Sequence, residues 1–465
     1  MAGNRFMNGT GQGRKAILLI CMAALLCGSF TGSTGFFHAA SGVVIRLDPD
    51  VTFQTITGWE AVAFAGDGPE FKKYKGPLLN KVVRDLGINR IRLEIKSGVE
   101  NPVDFFVPGS SSERDAYEIV NDNNDPFVIN PSGFQFSSLD YSVTRIITGL
   151  KRRLENRGEK LYVNVNYVDF GSSAFEHKNA SEEYAEFVLA TYQHLDTKFG
   201  IVPDAWEVIL EPENAGWSAD QMRDAIVAAG RRLLANGYTP RFIAPSNASM
   251  SIAVSYFDSL IQDPEVESYL SELSYHRYEG VSAEALKAIG SRAKWSHVRT
   301  AMLERIGATY VDLHDDLKIG RNSSWGQYTL ANTNVKDDNG AKYFLVDISN
   351  PAKPVIVPGS RTKFLRQYFK FVRSGAVRIK ARSNDRHFDP LAFINRNGKY
   401  VLVVKADSAG SFEIRNLPAG RYGIKYTTFS EYDIDLPNII LDAGQSLNAM
   451  IPAAGVITVY TKKLS

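Results

Sequence analysis

The chain has very little cysteine: its 465 residues include only Cys21 and Cys27, both near the N-terminus. A protein that loses this segment has no disulfide, no thiol nucleophile and no cysteine-based metal site. An excess of charge is also missing, because 53 basic and 51 acidic side chains give a net charge of +2. Such a balance leaves no electrostatic footprint for nucleic acid or for an anionic membrane. We therefore expect no nucleic-acid partner, and the charge balance suits a neutral ligand at least as well as a charged one.

The most apolar stretch of the sequence, Ala16–Leu26, follows an arginine and a lysine and gives way to glycine, serine and threonine. This order is typical of a secretory signal peptide, and the run is too short to span a bilayer comfortably. We predict that residues 1–40 form this signal, that no membrane span follows, and that the protein is secreted or periplasmic. Secretion without disulfides favours a bacterial export route. A lipoprotein signal would use Cys27 instead, but Leu26 is large where such signals want glycine or alanine.

Short apolar strands alternate with amphipathic helices over most of the chain. The predicted strands are Ile88–Ile95, Leu161–Val168, Trp206–Leu210, Phe242–Pro245, Leu273–His276 and Val298–Leu303. Repeated strand–helix units predict parallel strands, and about eight of them predict a closed (β/α)8 TIM barrel, here over residues 53–375. Periodicity does not identify the eighth strand, because Gln327–Asn332 and Tyr343–Ile348 both fit.

The helix boundaries are marked by capping residues. Ser218 and Gln221 have the spacing of a capping box and precede an amphipathic stretch that Gly237 ends. The sequence therefore predicts a helix that begins just after Ser218.

The pattern changes to strands alone after the barrel. Asn397-Gly398 stands between two alternating segments, and this pair is a strong hairpin signal because both residues tolerate a positive φ. Residues 376–465 are therefore predicted to form an antiparallel β-sandwich domain. Residues 41–52 include a strand of the same type, which we expect to join the sandwich. Two domains also suit the length, since single cores stop growing at roughly 250–300 residues.

Two barrel strands end in glutamate. The strand that begins at Trp206, the fourth of the predicted barrel, ends at Glu211. Glu211 is on the same face as Glu207, and Pro212 cannot continue the ladder. The strand that begins at Val298, the seventh of the predicted barrel, ends at Glu304, and Arg299 is its only other ionisable residue. Barrel enzymes place their chemistry at these strand ends, and a carboxylate there is costly unless it is paired. Two such carboxylates about 5–5.5 Å apart would act as nucleophile and acid/base, provided the surroundings of Glu211 raise its pKa.

Four further segments carry a family resemblance. They are Thr55–Glu60, Ala244–Ser249, Ser274–Tyr278 and Phe371–Ile379. In order and spacing, the chain resembles the clan A glycoside hydrolases and is most similar to family 30, which contains glucosylceramidases and xylanases. The resemblance implies a secreted retaining glycosidase for a carbohydrate substrate, with Glu211 as acid/base and Glu304 as nucleophile. It also makes Gln327–Asn332 the preferred eighth strand.

The resemblance implies a set of substrate-binding residues around this pair. They are Trp59, Arg92, Asn166, Asn247, His276, Tyr278 and Trp325. Arg92 would orient the nucleophile, although an ion pair with Glu94 or Glu60 is an alternative. Either Asn164 or Asn166 would face the pocket, and Trp59, Trp217 and Trp325 would be stacking platforms for sugar rings. His314-Asp315-Asp316 is interpreted as a solvated helix face, and we expect a monomer with no metal and no cofactor.

One position departs from the clan pattern. The residue before the acid/base is usually asparagine, which contacts the sugar 2-hydroxyl, but here it is Leu210. Leucine cannot form this hydrogen bond, which strengthens in the transition state. The substrate then has an unusual C2, another residue makes the contact, or the chain binds carbohydrate without cleaving it. A transglycosylase is a further alternative, differing in how well the pocket excludes water.

Overall fold

The structure is a computed structural model that describes residues 42–66, 68–108, 115–295 and 298–462. The predicted signal peptide at 1–40 therefore lies outside the described residues. The strands form two sheets, one of ten strands and one of nine. No helix in the described ranges is both long and apolar enough to cross a lipid bilayer.

The ten-stranded sheet contains the barrel. The first strand of the chain, β1 (Val44–Thr55), belongs to the other sheet, and the barrel strands are β2 (Gly58–Val62), β3 (Arg90–Lys96), β4 (Tyr162–Val168), β5 (Ala205–Glu207), β6 (Phe242–Ser249), β7 (Leu270–Glu279), β8 (Arg299–Glu304) and β9 (Asn322–Asn332). Neighbouring strands are parallel, and β9 closes the ring by pairing with both β8 and β2. The predicted TIM barrel is confirmed.

The eighth strand of the ring is β9, which contains the preferred candidate Gln327–Asn332. The alternative, Tyr343–Ile348, falls largely in β10 (Lys342–Asp347), outside the closed ring. There β10 pairs in parallel with the C-terminal residues of β9, from Thr329 to Asn332, and β11 (Val355–Pro358) completes the sheet.

Helices follow the barrel strands. They are α1 (Phe71–Asn80), α2 (Ser137–Ser142), α3 (Thr148–Glu155), α4 (Ser181–Phe199), α5 (Pro212–Ala215), α6 (Ala219–Ala235), α7 (Met250–Leu260), α8 (Pro264–Tyr269), α9 (Ala283–Trp295), α10 (Tyr310–Lys318) and α11 (Thr362–Phe369). The predicted capping box is present at the start of α6. Gln221 N donates to Ser218 Oγ over 3.2 Å, and Ser218 N donates to Gln221 Oε1 over 2.9 Å.

The nine-stranded sheet forms the second domain and has its own apolar core. Its remaining strands are β12 (Val377–Ser383), β13 (Phe388–Ile394), β14 (Tyr400–Ala406), β15 (Gly410–Arg415), β16 (Gly420–Thr428), β17 (Ile434–Leu441), β18 (Leu447–Ile451) and β19 (Gly455–Thr461). The N-terminal strand β1 lies between β12 and β15. Asn397-Gly398 turns the chain between β13 and β14, with Gly398 at φ +75°, so the predicted hairpin is confirmed.

Charged side chains fill part of the barrel interior at the N-terminal ends of the strands. Arg90, the first residue of β3, is fully buried. Its Nη1 and Nη2 donate to Glu272 over 2.6 and 2.8 Å, and its Nε donates to Glu60 over 3.0 Å. Burial raises the pKa of Glu60, and Arg90 opposes that rise only in part. This ion cluster is interpreted as structural, because it lies at the opposite end of the barrel from the candidate catalytic residue Glu304.

The expected solvated face at His314-Asp315-Asp316 is wrong, because His314 and Asp316 are fully buried. The Asp316 carboxylate accepts hydrogen bonds from Tyr275, Arg277 and Trp325. Burial raises the pKa of Asp316 to about 6. His314 Nδ1 lies 3.0 Å from the hydroxyl of Tyr368. The segment lies within α10, and the hydrogen bonds of Asp316 connect this helix to β7 and β9. The apolar positions in the sequence did not show that the polar side of the helix also packs inward.

Candidate active site

Glu211 reaches the rim of the barrel through a change of backbone direction. The fourth strand is shorter than predicted, because β5 ends at Glu207 and the chain then leaves the ladder. Glu211 itself has φ +49° and ψ 66°, in the left-handed region, and caps the short helix α5 that starts at Pro212. Holding a non-glycine residue there costs about 1–3 kcal/mol, and such strain concentrates at functional sites. A hydrogen bond from Glu211 N to Ser246 O fixes the turn.

Glu304 is the last residue of β8 and is only 7% exposed. The hydroxyl of Tyr278 donates to its Oε1 over 2.8 Å. The guanidinium of Arg92 donates to its Oε2 in a buried ion pair. Two elements, β3 and β7, therefore fix the orientation of this carboxylate, and one of the two donors is a cation.

The two carboxylates face each other. One oxygen of Glu211, one ring nitrogen of His276 and one oxygen of Glu304 all lie within 4.8 Å of one another. Retaining glycosidases place their two carboxyl groups about 5–5.5 Å apart, whereas inverting ones need about 6.5–9.5 Å to accommodate a water molecule. The spacing here suits direct attack by one carboxylate.

Glu211 accepts two hydrogen bonds. His276 Nδ1 lies 3.0 Å from its Oε1, and Asn214 Nδ2 donates to its Oε2 over 2.8 Å. Burial raises the pKa of Glu211, but these two donors outweigh burial and hold that pKa below its ordinary value. The sequence argument required surroundings that raise the pKa, so this expectation is wrong for the arrangement seen here. The other ring nitrogen of His276 is buried and has no hydrogen-bond partner among the described residues, and a proton on Nδ1 lets the ring donate to Glu211.

Arg92 combines the two roles that the sequence left as alternatives. Its Nη2 contacts both Glu304 and, over 3.2 Å, the Oε1 of Glu94, while Glu60 pairs with Arg90 instead. Burial opposes the charge of Arg92, but Glu304 and its other acidic neighbours outweigh that effect and raise its pKa. Burial also disfavours the charged form of Glu94 and so raises its pKa.

Sequence reasoning named Glu94 only as an alternative partner of Arg92, and it missed Tyr328 as a member of this site. The ring of Tyr328 lies 5.8 Å from the guanidinium carbon of Arg92. The i, i+2 spacing of Arg92 and Glu94 on one strand was the available signal for Glu94. The sequence contained no comparable signal for Tyr328, because only the structure shows that β9, its strand, pairs with both β8 and β2.

The asparagines of the predicted site differ in their contacts. Asn164 donates to Glu207 over 2.8 Å inside the barrel. Asn166, farther along β4, is fully buried, and both polar atoms of its amide lack a partner among the described residues. Asn247 donates to Glu213 over 2.8 Å, so it supports the turn after Glu211. The side-chain oxygens of Asn164 and Asn247 also lack a partner, but of the three only Asn166 has both amide atoms unpartnered among the described residues.

The tryptophans predicted as sugar platforms belong to the core, so that prediction is wrong. Trp59 and Trp325 are 0% exposed, and Trp217 is 1% exposed. Trp59 stacks on Phe369 with ring centroids 4.4 Å apart, and its Nε1 donates to a backbone carbonyl. Trp325 Nε1 donates to Asp316. Their faces are covered by protein, which leaves no surface for a sugar ring.

Within the described ranges, two sets of side chains have a spacing that suits a cation. The first is Glu211, His276 and Glu304, but Arg92 already supplies positive charge to that set. The second is Asp122, Glu183 and Glu186. Burial and the charge of Asp122 raise the pKa of Glu186 to about 8, so a bound proton satisfies this cluster near neutral pH. Acid–base chemistry therefore fits the strand-end site better than metal chemistry.

Comparisons with known proteins define the fold further. No family model matches the sequence, and no curated protein matches it. Among solved structures, the chain is similar to a glycoside hydrolase family 30 endoxylanase from Clostridium papyrosolvens C71, with a TM-score of 0.65 and 18% identity over 91% of this chain and all of that one. The fold is therefore that of the barrel-plus-sandwich glycoside hydrolases.

Two further structures show how widely this fold is shared. An endo-β-1,6-glucanase matches with a TM-score of 0.65 and 16% identity, over 91% of this chain and 95% of that one. A family 44 endoglucanase, Cel44A from Clostridium thermocellum, matches with a TM-score of 0.53 and 10% identity, over 91% of this chain and all of that one. At these identities the likeness establishes architecture, and activity has to be argued from the site.

Proposed function

We propose that this protein is a secreted retaining glycosidase that cleaves a β-linked glycan or glycoconjugate. The observation that carries the proposal is the pair of carboxylates at the turn after β5 and at the end of β8, with oxygens of Glu211 and Glu304 within 4.8 Å. The names of the similar structures, an endoxylanase and an endo-β-1,6-glucanase, support a β-linked polysaccharide. The signal-like N-terminus supports secretion.

In the first step, a carboxylate oxygen of Glu304 attacks the anomeric carbon. The bond from that carbon to the leaving oxygen breaks, and Glu211 transfers its proton to this oxygen. In the second step, Glu211 takes a proton from water, the water oxygen attacks the anomeric carbon, and the bond to Glu304 breaks. Two inversions give net retention. Arg92 and Tyr278 hold the Glu304 carboxylate in place for the attack.

Leu210 does not prevent this chemistry if Asn166 contacts the sugar 2-hydroxyl. Leu210 is only 7% exposed, and its backbone N donates to Tyr167 O on β4, the strand that carries Asn166. The buried amide of Asn166 has two unpartnered polar atoms, which is costly unless a ligand uses them. Asn166 therefore replaces the missing asparagine from the neighbouring strand.

The second candidate function is carbohydrate binding without cleavage, which Leu210 favours because leucine cannot bond the 2-hydroxyl. Screening aryl β-glycosides and β-linked polysaccharides against the wild type and Glu304→Gln separates the two functions. Hydrolysis by the wild type that Glu304→Gln lacks supports the glycosidase. Equal glycan affinity with no turnover in either protein supports the binding protein and overturns the enzyme.

The pH dependence of kcat/KM should respond to Asn214→Ala. Bond cleavage needs protonated Glu211, so kcat/KM falls as pH rises through the pKa of Glu211, which lies below its ordinary value. Asn214 is exposed and donates to the ionised form, so its removal raises this pKa and moves the alkaline limb to higher pH. Asn236→Ala, an exposed asparagine at the end of α6, is the matched control and should leave the profile unchanged. An unmoved limb in Asn214→Ala would show that another group sets it.

A further inference from the structure

A groove with many basic side chains lies where the second domain meets the N-terminal ends of the barrel strands. Its volume is about 630 Å³, and β1, β12, β13 and the segment between α10 and β9 form its walls. Its basic lining residues are Lys318, Arg321, Arg378, Lys380, Arg382 and Arg386, and its acidic ones are Asp385 and Asp389. The groove is at the opposite end of the barrel from Glu304, so the catalytic proposal does not use it.

Of the basic residues in the described groove, only the two lysines form ion pairs with nearby carboxylates. Asp389 pairs with Lys318, and Asp48 pairs with Lys380 over 2.6 Å. Asp385 accepts a hydrogen bond from the backbone N of His387. The four arginines of the groove have no carboxylate partner within the described part of the chain. Positive charge in the groove therefore exceeds negative charge, although the whole chain carries only +2.

Arg378 is the most deeply buried arginine of the groove. Its side chain is buried, with 6% of the residue exposed, and its Nε donates to Gln54 Oε1 over 2.8 Å. Its guanidinium lies 3.9 Å from the ring centre of Phe53, and that of Arg321 lies 5.7 Å from the same ring. Burial and the charge of Arg321 lower the pKa of Arg378 to about 10. No carboxylate contacts Arg378 in the described part of the chain, and a bound oxyanion would offset the cost of burying its charge.

The backbone places these arginines at the groove. Arg378, Lys380 and Arg382 alternate along β12 and therefore share one face of the sheet. Arg321 comes from the barrel side and has φ +55°, a strained conformation for arginine. Two separate elements thus direct guanidinium groups to one cavity.

We propose that this groove binds the carboxylate or sulfate groups of an acidic carbohydrate. Guanidinium groups match such oxyanions in bidentate geometry. A near-neutral chain with one localised basic groove favours a ligand with few, spaced charges over a nucleic acid. That the ligand is a carbohydrate rests on the proposed function, whereas the anion site stands on the arginines alone. The site would hold the enzyme on an acidic polymer while the strand-end glutamates act elsewhere on it.

Calorimetric titration of the Glu304→Gln protein tests the proposal without turnover. The probes are an oligogalacturonate, a sulfated oligosaccharide, a neutral oligosaccharide of equal length and inorganic sulfate. We expect at least one acidic oligosaccharide to bind, the neutral one not to bind, and affinity to fall with added salt. Arg321→Gln and the exposed Arg382→Gln should each weaken binding by about tenfold. Arg223→Gln, on the surface of α6, is the charge-matched control and should bind as the parent does.

Several results would overturn the proposal. They are equal binding of acidic and neutral oligosaccharides, undiminished binding by both arginine variants, and binding of inorganic sulfate without either acidic oligosaccharide. Tighter binding of a DNA oligonucleotide than of any oligosaccharide would assign the groove to nucleic acid instead. Failure of the catalytic proposal is distinguishable, because it would appear as absent turnover in the wild type while arginine-dependent binding persists.

Discussion

Glu304→Ala should lower kcat on an activated aryl β-glycoside by roughly 10⁴-fold or more, because it removes the attacking atom. Azide should restore activity to this variant. A small anion fits the space left by the carboxylate and attacks the anomeric carbon directly, so one inversion occurs and the product is an α-glycosyl azide. Product configuration by NMR, with rates with and without azide, is the measurement.

Glu211→Ala should give the opposite product with the same reagent. The Glu304 adduct still forms when the leaving group needs no proton, and azide then attacks that adduct to give a β-glycosyl azide after two inversions. Glu279→Ala, an exposed glutamate at the end of β7, is the control and should keep wild-type activity. Near-normal turnover by Glu304→Ala, or the same azide anomer from both variants, contradicts the assigned roles.

Arg90→Met should have the largest effect on stability. Arg90 is the only cation that contacts the buried carboxylates Glu60 and Glu272 among the described salt bridges. Removing one partner of a buried ion cluster typically costs about 3–5 kcal/mol, a large share of the roughly 5–15 kcal/mol that stabilises a domain. Denaturant unfolding measures the loss, and Arg223→Met, which breaks exposed ion pairs, should cost at most about 1 kcal/mol.

The loss from Arg90→Met should depend on pH. The pKa of Glu60 is already raised in the folded protein, and removing Arg90 raises it further. A carboxyl group with a raised folded-state pKa stabilises the fold below its unfolded pKa and loses that contribution as pH rises through the folded value. The variant should therefore approach wild-type stability in acid and diverge from it towards neutral pH. A loss below about 1 kcal/mol at pH 7 would show that the cluster contributes little.

Much of the fold was readable from sequence because it depends on local patterns. Strand–helix alternation predicted the barrel, and the pair Asn397-Gly398 predicted a hairpin that the structure contains. The closing strand was ambiguous because β9 and β10 are adjacent strands of one sheet and both have sequences that suit a buried strand. Only the contact of β9 with β2 and β8, far apart in sequence, distinguishes them.

The site was only partly readable, because side-chain surroundings depend on distant segments. Glu211 and Glu304 were found as strand ends, but the donors that lower the pKa of Glu211 come from α5 and β7. Trp59 was wrongly predicted to be a sugar platform because its burial against Phe369 of α11 is a tertiary contact, which the sequence does not show. The pairing of groups across the barrel had to be seen in three dimensions.

The stereochemistry of the first product tests the central claim most directly. Hydrolysis of an aryl β-glycoside, followed by NMR before the free sugar mutarotates, reports the anomer that leaves the enzyme. If Glu304 attacks and Glu211 serves as acid and then base, the β-anomer is released first. Initial release of the α-anomer would contradict the account, because it requires water to attack the substrate without a Glu304 adduct.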